Sequence, residues 1–329
     1  MDWTQRSVLV TGAGGFIGSH LVEALVCQGA KVTAFLHYNS RNDLGMLRYV
    51  DRALLQHVRV YFGDLRDIEA VRRAMTGTQI VFHLGALIGI PYSYVHPQDV
   101  VQTNVIGTLN VLLAARDLGV ERVVHTSTSE VYGTAQYVPI DENHPLQGQS
   151  PYAASKIGAD KLVESFYLSF GLPISTVRPF NTYGPRQSAR AVIPTIIVQA
   201  LTSDRLRLGA LHPTRDFNYV TDTVKGFIAA AMSEATIGEV VNIGSGQEIS
   251  IGDLARKICK LLGREFVVEI EDDRLRPPAS EVERLLADNS KAQRIMNWAP
   301  EVPLEKGLEW TIEWIKRHLA LYHAERYVI

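Results

Sequence analysis

Short apolar runs alternate with helical patterns through the first half of the chain. The runs SVLVTG, KVTAFL, VRVYFGD, IVFHLGA and RVVHTST are almost continuously apolar, as strands are when a sheet is covered on both faces. Between them, residues 17–28, 68–75 and 101–118 read as helices. This alternation predicts βαβ units around a parallel sheet, a doubly wound α/β fold. A long helix over about 151–170 and a strand in ISTVRPF add one more unit. Beyond about residue 180 the pattern loosens into loops, short strands and helices, with RDFNYVTD, EVVNIGSG and an amphipathic helix near 304–318. The expected layout is a core domain over 1–178 with a return segment at about 215–240, and a smaller α/β lobe made mainly of 179–329. No internal repeat or low-complexity tract interrupts it.

Composition narrows the class. With 329 residues, 46% of them hydrophobic and 21% charged, the chain can bury a sizeable core. The formal net charge of −2 and the absence of like-charge blocks argue against a nucleic-acid or membrane-surface partner. The two cysteines, Cys27 and Cys259, are far apart in helical segments, which fits small buried side chains in a reducing compartment better than a disulfide. The first strand begins without the apolar h-region of about 7–15 residues that a secretion signal carries, and no apolar run reaches the about 18 residues of a membrane span. The expectation is a soluble, cytoplasmic protein with no metal site.

Gly12, Gly15 and Gly18 in VTGAGGFIGSHL lie between the first strand and the first helix, with Phe16 and Ile17 at the helix start. Glycines there permit a tight turn, a close approach of backbone to a pyrophosphate and free N–H groups aimed at it. At the head of a series of βαβ units, the triplet points to a Rossmann-type site for NAD(P). The second strand ends in Leu36, His37 and Tyr38, without the acidic residue that binds the adenosine ribose and repels the NADP phosphate. Asn39, Ser40 and Arg41 could bind a 2′-phosphate or form a solvated turn. NAD and NADP both stay open, with NAD slightly favoured. Asp64 and Leu65 follow the third strand and are placed to meet the adenine edge, a satisfied turn aspartate being the plain alternative.

Tyr152 and Lys156 in SPYAASKIGADKL are one helical turn apart, so both side chains share a face. Ser150 is a good N-cap and Pro151 a good first residue. An ammonium beside a phenol is expected to lower the phenol's pKa from about 10 and make it a base. A second polar stretch, HTSTSEVYG, ends what otherwise reads as a buried strand with Thr128, Ser129 and Glu130. Loop chemistry is one reading of it, an active site the other.

These motifs together resemble the extended short-chain dehydrogenase/reductases that act on nucleotide-activated sugars. The likeness rests on the glycine triplet, GDL at 63–65, NVIGT from Asn104, Tyr152 with Lys156, RPFNTYGPRQ from Arg178, RDFNYVTD from Arg215 and NIGSG from Asn242. It implies NAD(P) held tightly, Leu84 and Ala86 against the cofactor, a Tyr–Lys catalytic pair and a second lobe that grips a nucleoside diphosphate. It further implies that Arg215, Asn181, Arg276 and Glu281 bind the diphosphate and nucleoside ribose. Gly85 stands where many members have alanine, a difference of one methyl. The helices near 101–118 and 151–170 resemble the pair that forms a homodimer interface in this family.

By the same resemblance, Thr128-Ser129-Glu130 matches the motif of 4,6-dehydratases. Thr128 would hold the C4 oxygen, Glu130 would take the C5 proton, and Ser129 would assist loss of water from C6. The expected activity is a 4,6-dehydratase acting on UDP- or GDP-linked N-acetylglucosamine, most similar to those of the legionaminic-acid pathway. A 4-epimerase and a UDP-glucuronate decarboxylase are the alternatives, since the decarboxylases share Thr-Ser-Glu. The loop LIGIPYSYVHP offers no cation for a sugar carboxylate, although one could arrive from elsewhere in the fold. A non-catalytic NAD(P) sensor is the remote alternative, disfavoured by the intact Tyr152, Lys156, Thr128 and Glu130.

Overall fold

The computed structural model describes residues 2–322. The predicted runs form β1 (Ser7–Thr11), β2 (Lys31–His37), β3 (Val58–Gly63), β4 (Ile80–His83), β5 (Arg122–Thr126) and β6 (Ile174–Pro179). Further along, β7 (Asn181–Tyr183), β8 (Arg205–Leu208) and β9 (Thr214–Tyr219) lie outside their sheet, β10 (Val240–Ile243) rejoins it, and β11 (Glu248–Ser250) and β12 (Val267–Ile270) lie outside again. Among the described residues the large sheet has seven strands in the order β10-β6-β5-β4-β1-β2-β3, and every pairing is parallel. The order reverses between β1 and β4, which opens a crevice at their carboxyl ends.

Alternate strand residues serve opposite faces, and both faces are covered. Val8, Val10, Val32, Ala34, Phe82 and Val124 join one core, while Leu9, Phe35, Val81 and Val123 join the other. Burying each such valine, leucine or phenylalanine contributes about 1.5–3 kcal/mol, so a strand polar on either face would not hold its place. This is a Rossmann-type α/β fold.

Several helices fall where the pattern put them. The first covers Phe16–Cys27, the third-strand crossover Ile68–Met75, and the long helix Pro151–Phe170, capped by the Ser150 hydroxyl on the Ala153 N–H. The single helix expected over 101–118 is instead three pieces: Pro97–Val101, a π-turn at Gln102–Ile106 and Gly107–Asp117. Periodicity of apolar residues does not register a one-residue widening of the turn, which marks functional segments in many proteins. Cys27 is exposed rather than buried, Cys259 is half-buried, and both are free thiols.

Outside the large sheet, β11-β9-β7 and β12-β8 make two small ones. Asp216 fastens β9 to its surroundings: its buried carboxylate accepts hydrogen bonds from Ser245 N (2.7 Å) and Oγ (2.6 Å), Gly246 N (2.9 Å) and Ala287 N (3.1 Å). The RDFNYVTD and NIGSG motifs are therefore joined by a carboxylate that has no free lone pair left for a ligand. Among the described residues no helix is long and apolar enough to cross a membrane.

Candidate active site

The crevice begins at the glycine loop. Gly12 has φ +68°, and a Cβ on Gly18 would stand 2.2 Å from the Gly12 carbonyl oxygen. Gly15 is the N-cap of Phe16–Cys27 and uses no side chain to cap it, which leaves the first N–H groups of the helix for an anion. Across the switch point, a Cβ on Gly12 would stand 2.8 Å from Gly85 N. Gly85 is more than the loss of a methyl, because a Cβ there would meet Leu65 Cδ1 at 2.7 Å. Leu65 is buried beneath Gly85 and Gly107. Leu84 and Ala86 flank Gly85 and are half-buried. This bare backbone cradle fits the pyrophosphate of a dinucleotide.

At the ends of β2 and β3 the side chains are largely engaged with each other. The Asn39 side-chain Oδ1 accepts from Arg41 N (3.2 Å) and Asp43 N (2.8 Å), so Asn39 closes a turn, while Ser40 and Arg41 are exposed. The Asp64 carboxylate lies 2.6 Å from Arg66 and 3.6 Å from His37, and the Arg66 hydrogen bond holds it below its ordinary range. Asp64 is thus a satisfied turn aspartate that brings a carboxylate beside the end of β2, where β2 itself has none.

Tyr152 and Lys156 are buried on one face of Pro151–Phe170. Lys156 Nζ donates to the Thr126 carbonyl at 2.6 Å, and burial pulls its pKa down to about 8, against the opposing charge of Asp160. The expected lowering of the Tyr152 phenol is not realised in this geometry. Burial pushes the phenol above its ordinary 10, a hydrogen bond with Thr128 opposes this, and the Glu130 and Asp160 charges add to it. Desolvation of the phenolate outweighs any help from the lysine, whose proton is spent on a backbone carbonyl.

Thr128, Ser129 and Glu130 turn out of β5 in a short 3₁₀ turn, Ser129–Tyr132, with the Thr128 hydroxyl capping Glu130 N at 3.2 Å. That turn delivers Thr128 to the Tyr152 phenol and leaves Ser129 buried. Glu130 points to the second lobe, 3.7 Å from Arg276 Nη1. Arg276 is also 3.8 Å from Glu281, which accepts from Arg215 Nη2 at 3.1 Å. Two guanidinium groups and two carboxylates thus converge beside the Tyr–Lys pair, although their residues are far apart in sequence. Asn181 starts β7, and its side-chain carbonyl is buried without a partner. Such a group costs free energy unless something fills its hydrogen bond, as a ligand would.

Three further contributors escape sequence reasoning. Asn104, inside the π-turn, accepts from Leu87 N (2.8 Å) and donates to Leu87 O and Ser155 Oγ (2.9 Å each), binding the loop after β4 to the catalytic helix. The NVIGT motif contained it, but nothing local showed which backbone it would meet. Asp160 is clasped by Ser127, His125 and Arg178; its position one turn beyond Lys156 was the available signal. Arg190 supplies the cation missing from the loop after β4, since a Cβ on Gly89 would stand 3.2 Å from Arg190 Nη1.

A Rossmann-type sheet with a glycine cradle at its switch point and a buried Tyr–Lys pair beside it defines the extended short-chain dehydrogenase/reductase class. Comparison with known proteins agrees: the family described as GDP-mannose 4,6 dehydratase matches residues 9–311, and the chain belongs to it. It is similar to a dTDP-glucose 4,6-dehydratase of Streptomyces griseus, 34% identical over 94% of each chain. It is as similar to a UDP-N-acetyl-α-D-glucosaminuronate decarboxylase of Bacillus cytotoxicus, 33% identical over 95% of this chain and 98% of that one. Among solved structures, a UDP-glucuronic acid 4-epimerase variant of Bacillus cereus, in complex with UDP-4-deoxy-4-fluoro-glucuronic acid and NAD, superposes with TM-score 0.87. It is 29% identical, over 95% of this chain and 99% of that one. The protein is a member of the nucleotide-sugar dehydratase, epimerase and decarboxylase enzymes, whose neighbours bind NAD.

Proposed function

We propose that the chain is a 4,6-dehydratase of UDP- or GDP-linked N-acetylglucosamine, yielding the 4-keto-6-deoxy sugar for bacterial deoxyamino or nonulosonic sugar synthesis. The observation that carries it is the delivery of Thr128 and Glu130 to Tyr152, with Ser129 between them on the same turn, a base and hydroxyls beyond what a turn-over of the C4 ketone needs. Bound NAD(P) would supply a hydride acceptor for C4 and a hydride donor for C6. On this reading residues 1–178, with the returning segment at about 215–240, hold it through Gly12, Gly15, Phe16, Ile17, Gly18, Leu84 and Ala86, with His37, Ser40, Arg41, Asp64 and Leu65 at the adenosine end. Residues 179–329 grip the nucleoside diphosphate through Asn181, Arg215, Arg276 and Glu281.

Tyr152 takes the C4 hydroxyl proton as its phenolate, a form that burial disfavours and that the Lys156 ammonium together with a bound nicotinamide cation would favour, and Thr128 holds the C4 oxygen. The ketone acidifies C5, Glu130 removes that proton and gives it to the departing C6 hydroxyl, which Ser129 hydrogen-bonds, so that water leaves; the proton held by Tyr152 then returns to C5 as C6 is reduced. Because electrons leave and return within one substrate, no second substrate is consumed. The enzyme works as a cytoplasmic homodimer.

A second reading, decarboxylation of a UDP-uronate, is favoured by Arg190 beside Gly89, where a C6 carboxylate could find its counter-charge. Mass analysis after incubation with UDP- and GDP-N-acetylglucosamine and UDP-glucuronate decides between them. Loss of water from either N-acetylglucosamine nucleotide is expected; loss of carbon dioxide from UDP-glucuronate with the other two unchanged overturns the proposal.

A further inference from the structure

We propose that Asp160 is a positioning residue of the catalytic pair: its carboxylate ties the end of β5 to the catalytic helix and faces the Lys156 ammonium with negative charge from one turn away. The proposal rests on the reading of Tyr152 and Lys156 as the acid–base pair. Asp160 stands on Pro151–Phe170, four residues beyond Lys156 and buried with it. Its Oδ2 accepts from Ser127 Oγ at 2.7 Å and from Arg178 Nη2 at 2.9 Å, and its Oδ1 lies 3.2 Å from His125 Nε2. Ser127 and His125 bracket Thr126, whose carbonyl accepts the Lys156 hydrogen bond, and Ser127 precedes Thr128, which meets the phenol. One carboxylate therefore fixes the strand end that carries the lysine's acceptor and the substrate-facing threonine. Were its role only to neutralise Arg178, neither the Ser127 bond nor the His125 bond would be needed.

The groups facing this carboxylate are Lys156 and Tyr152 on its own helix, His125 from β5 with His83 behind it on β4 (ring centroids 5.7 Å apart), and Arg178 from β6, itself bonded to Tyr132. Glu130 faces the phenol from the turn after β5. Desolvation drives Lys156 toward its neutral form, and Asp160 opposes that. Removing the carboxylate charge therefore makes the ammonium lose its proton at lower pH, and releases the phenol from one of the two anions that hold its proton on.

The test follows the Lys156 side chain by its ¹³Cε resonance in the whole protein with its cofactor, assigned by loss of the peak in Lys156→Met. In Asp160→Asn the titration midpoint is expected to fall by about one pH unit or more. Because that change leaves Arg178 buried without its partner, Asp160→Asn with Arg178→Met is titrated alongside, and the same fall is expected. Ser127→Ala keeps the charge and loosens one tie; its midpoint stays in place while kcat falls severalfold with KM unchanged. A wild-type midpoint in whichever Asp160 variant folds overturns the proposal, as does wild-type kcat in Ser127→Ala. If the wild type turns over no nucleotide sugar, the proposed function fails alone, because the titration needs no substrate.

Discussion

Glu130 and Arg276 stand 3.7 Å apart, and Arg276 Nη1 is buried without a hydrogen-bond partner. The proposed base and a proposed diphosphate ligand are thus one ion pair, weak in geometry because neither group is fully satisfied by it. A phosphate that recruits Arg276 competes with the Glu130 carboxylate. On the proposed function, nucleotide binding would also release the base.

Glu130→Gln is expected to move two observables in opposite directions. Water elimination falls by about 10²–10⁴, the weight of a general base. Affinity for UDP or GDP, measured by calorimetry, rises about two- to fivefold, since an ion pair of this exposure is worth up to ~1 kcal/mol. Wild-type turnover would remove Glu130 from the base role.

Lys156 gives rate and stability opposite pH dependences. On the proposed function catalysis needs the ammonium, so kcat is expected to fall as pH rises through about 8. For stability, the folded value lies below the ordinary 10.5, so the unfolded chain binds more protons between these limits and stability rises with pH across that window. The unfolding free energy of wild type minus that of Lys156→Met should therefore rise from about pH 8 to 10.5 in chemical denaturation. A flat difference would mean that the buried amine is already matched to water.

Gly18→Ala places a Cβ 2.2 Å from the Gly12 carbonyl. Backbone cannot yield as a side chain does, so the variant is expected to lose about 1–3 kcal/mol in urea unfolding. The purified protein should also carry less NAD(P), measured spectroscopically after denaturation. Retention of full cofactor with wild-type stability would contradict the close packing of helix on loop.

Asn104→Ala strips hydrogen bonds from both the N–H and the carbonyl of Leu87. The cost is about 1–3 kcal/mol of stability. The loop after β4 loses its tie to Ser155, so KM for the nucleotide sugar should rise more than kcat falls. An equal fall of kcat with KM unchanged would place Asn104 in the chemistry instead.

Most of the architecture was legible locally. Strands buried on both faces leave an unbroken apolar run, the glycine loop leaves its own spacing, and Tyr152 with Lys156 needs only one helical turn. The π-turn at Gln102–Ile106 was not legible, because widening a helix by one residue preserves the apolar stripe. Nor was the sign of the phenol's shift, which depends on how completely water is excluded around Tyr152.

What the sequence alone determined is therefore the set of elements and the chemistry each could carry: a parallel sheet, a dinucleotide cradle, a phenol and an ammonium on one helical face. Only the tertiary structure decided the company these groups keep. Glu130 meets Arg276, Lys156 donates a hydrogen bond to the Thr126 carbonyl, Asp160 gathers His125, Ser127 and Arg178, and Arg190 reaches Gly89. Backbone period is set by neighbours a few residues away, whereas the fields and hydrogen bonds that tune a carboxylate or an amine act across any stretch of chain that folding brings within a few ångströms.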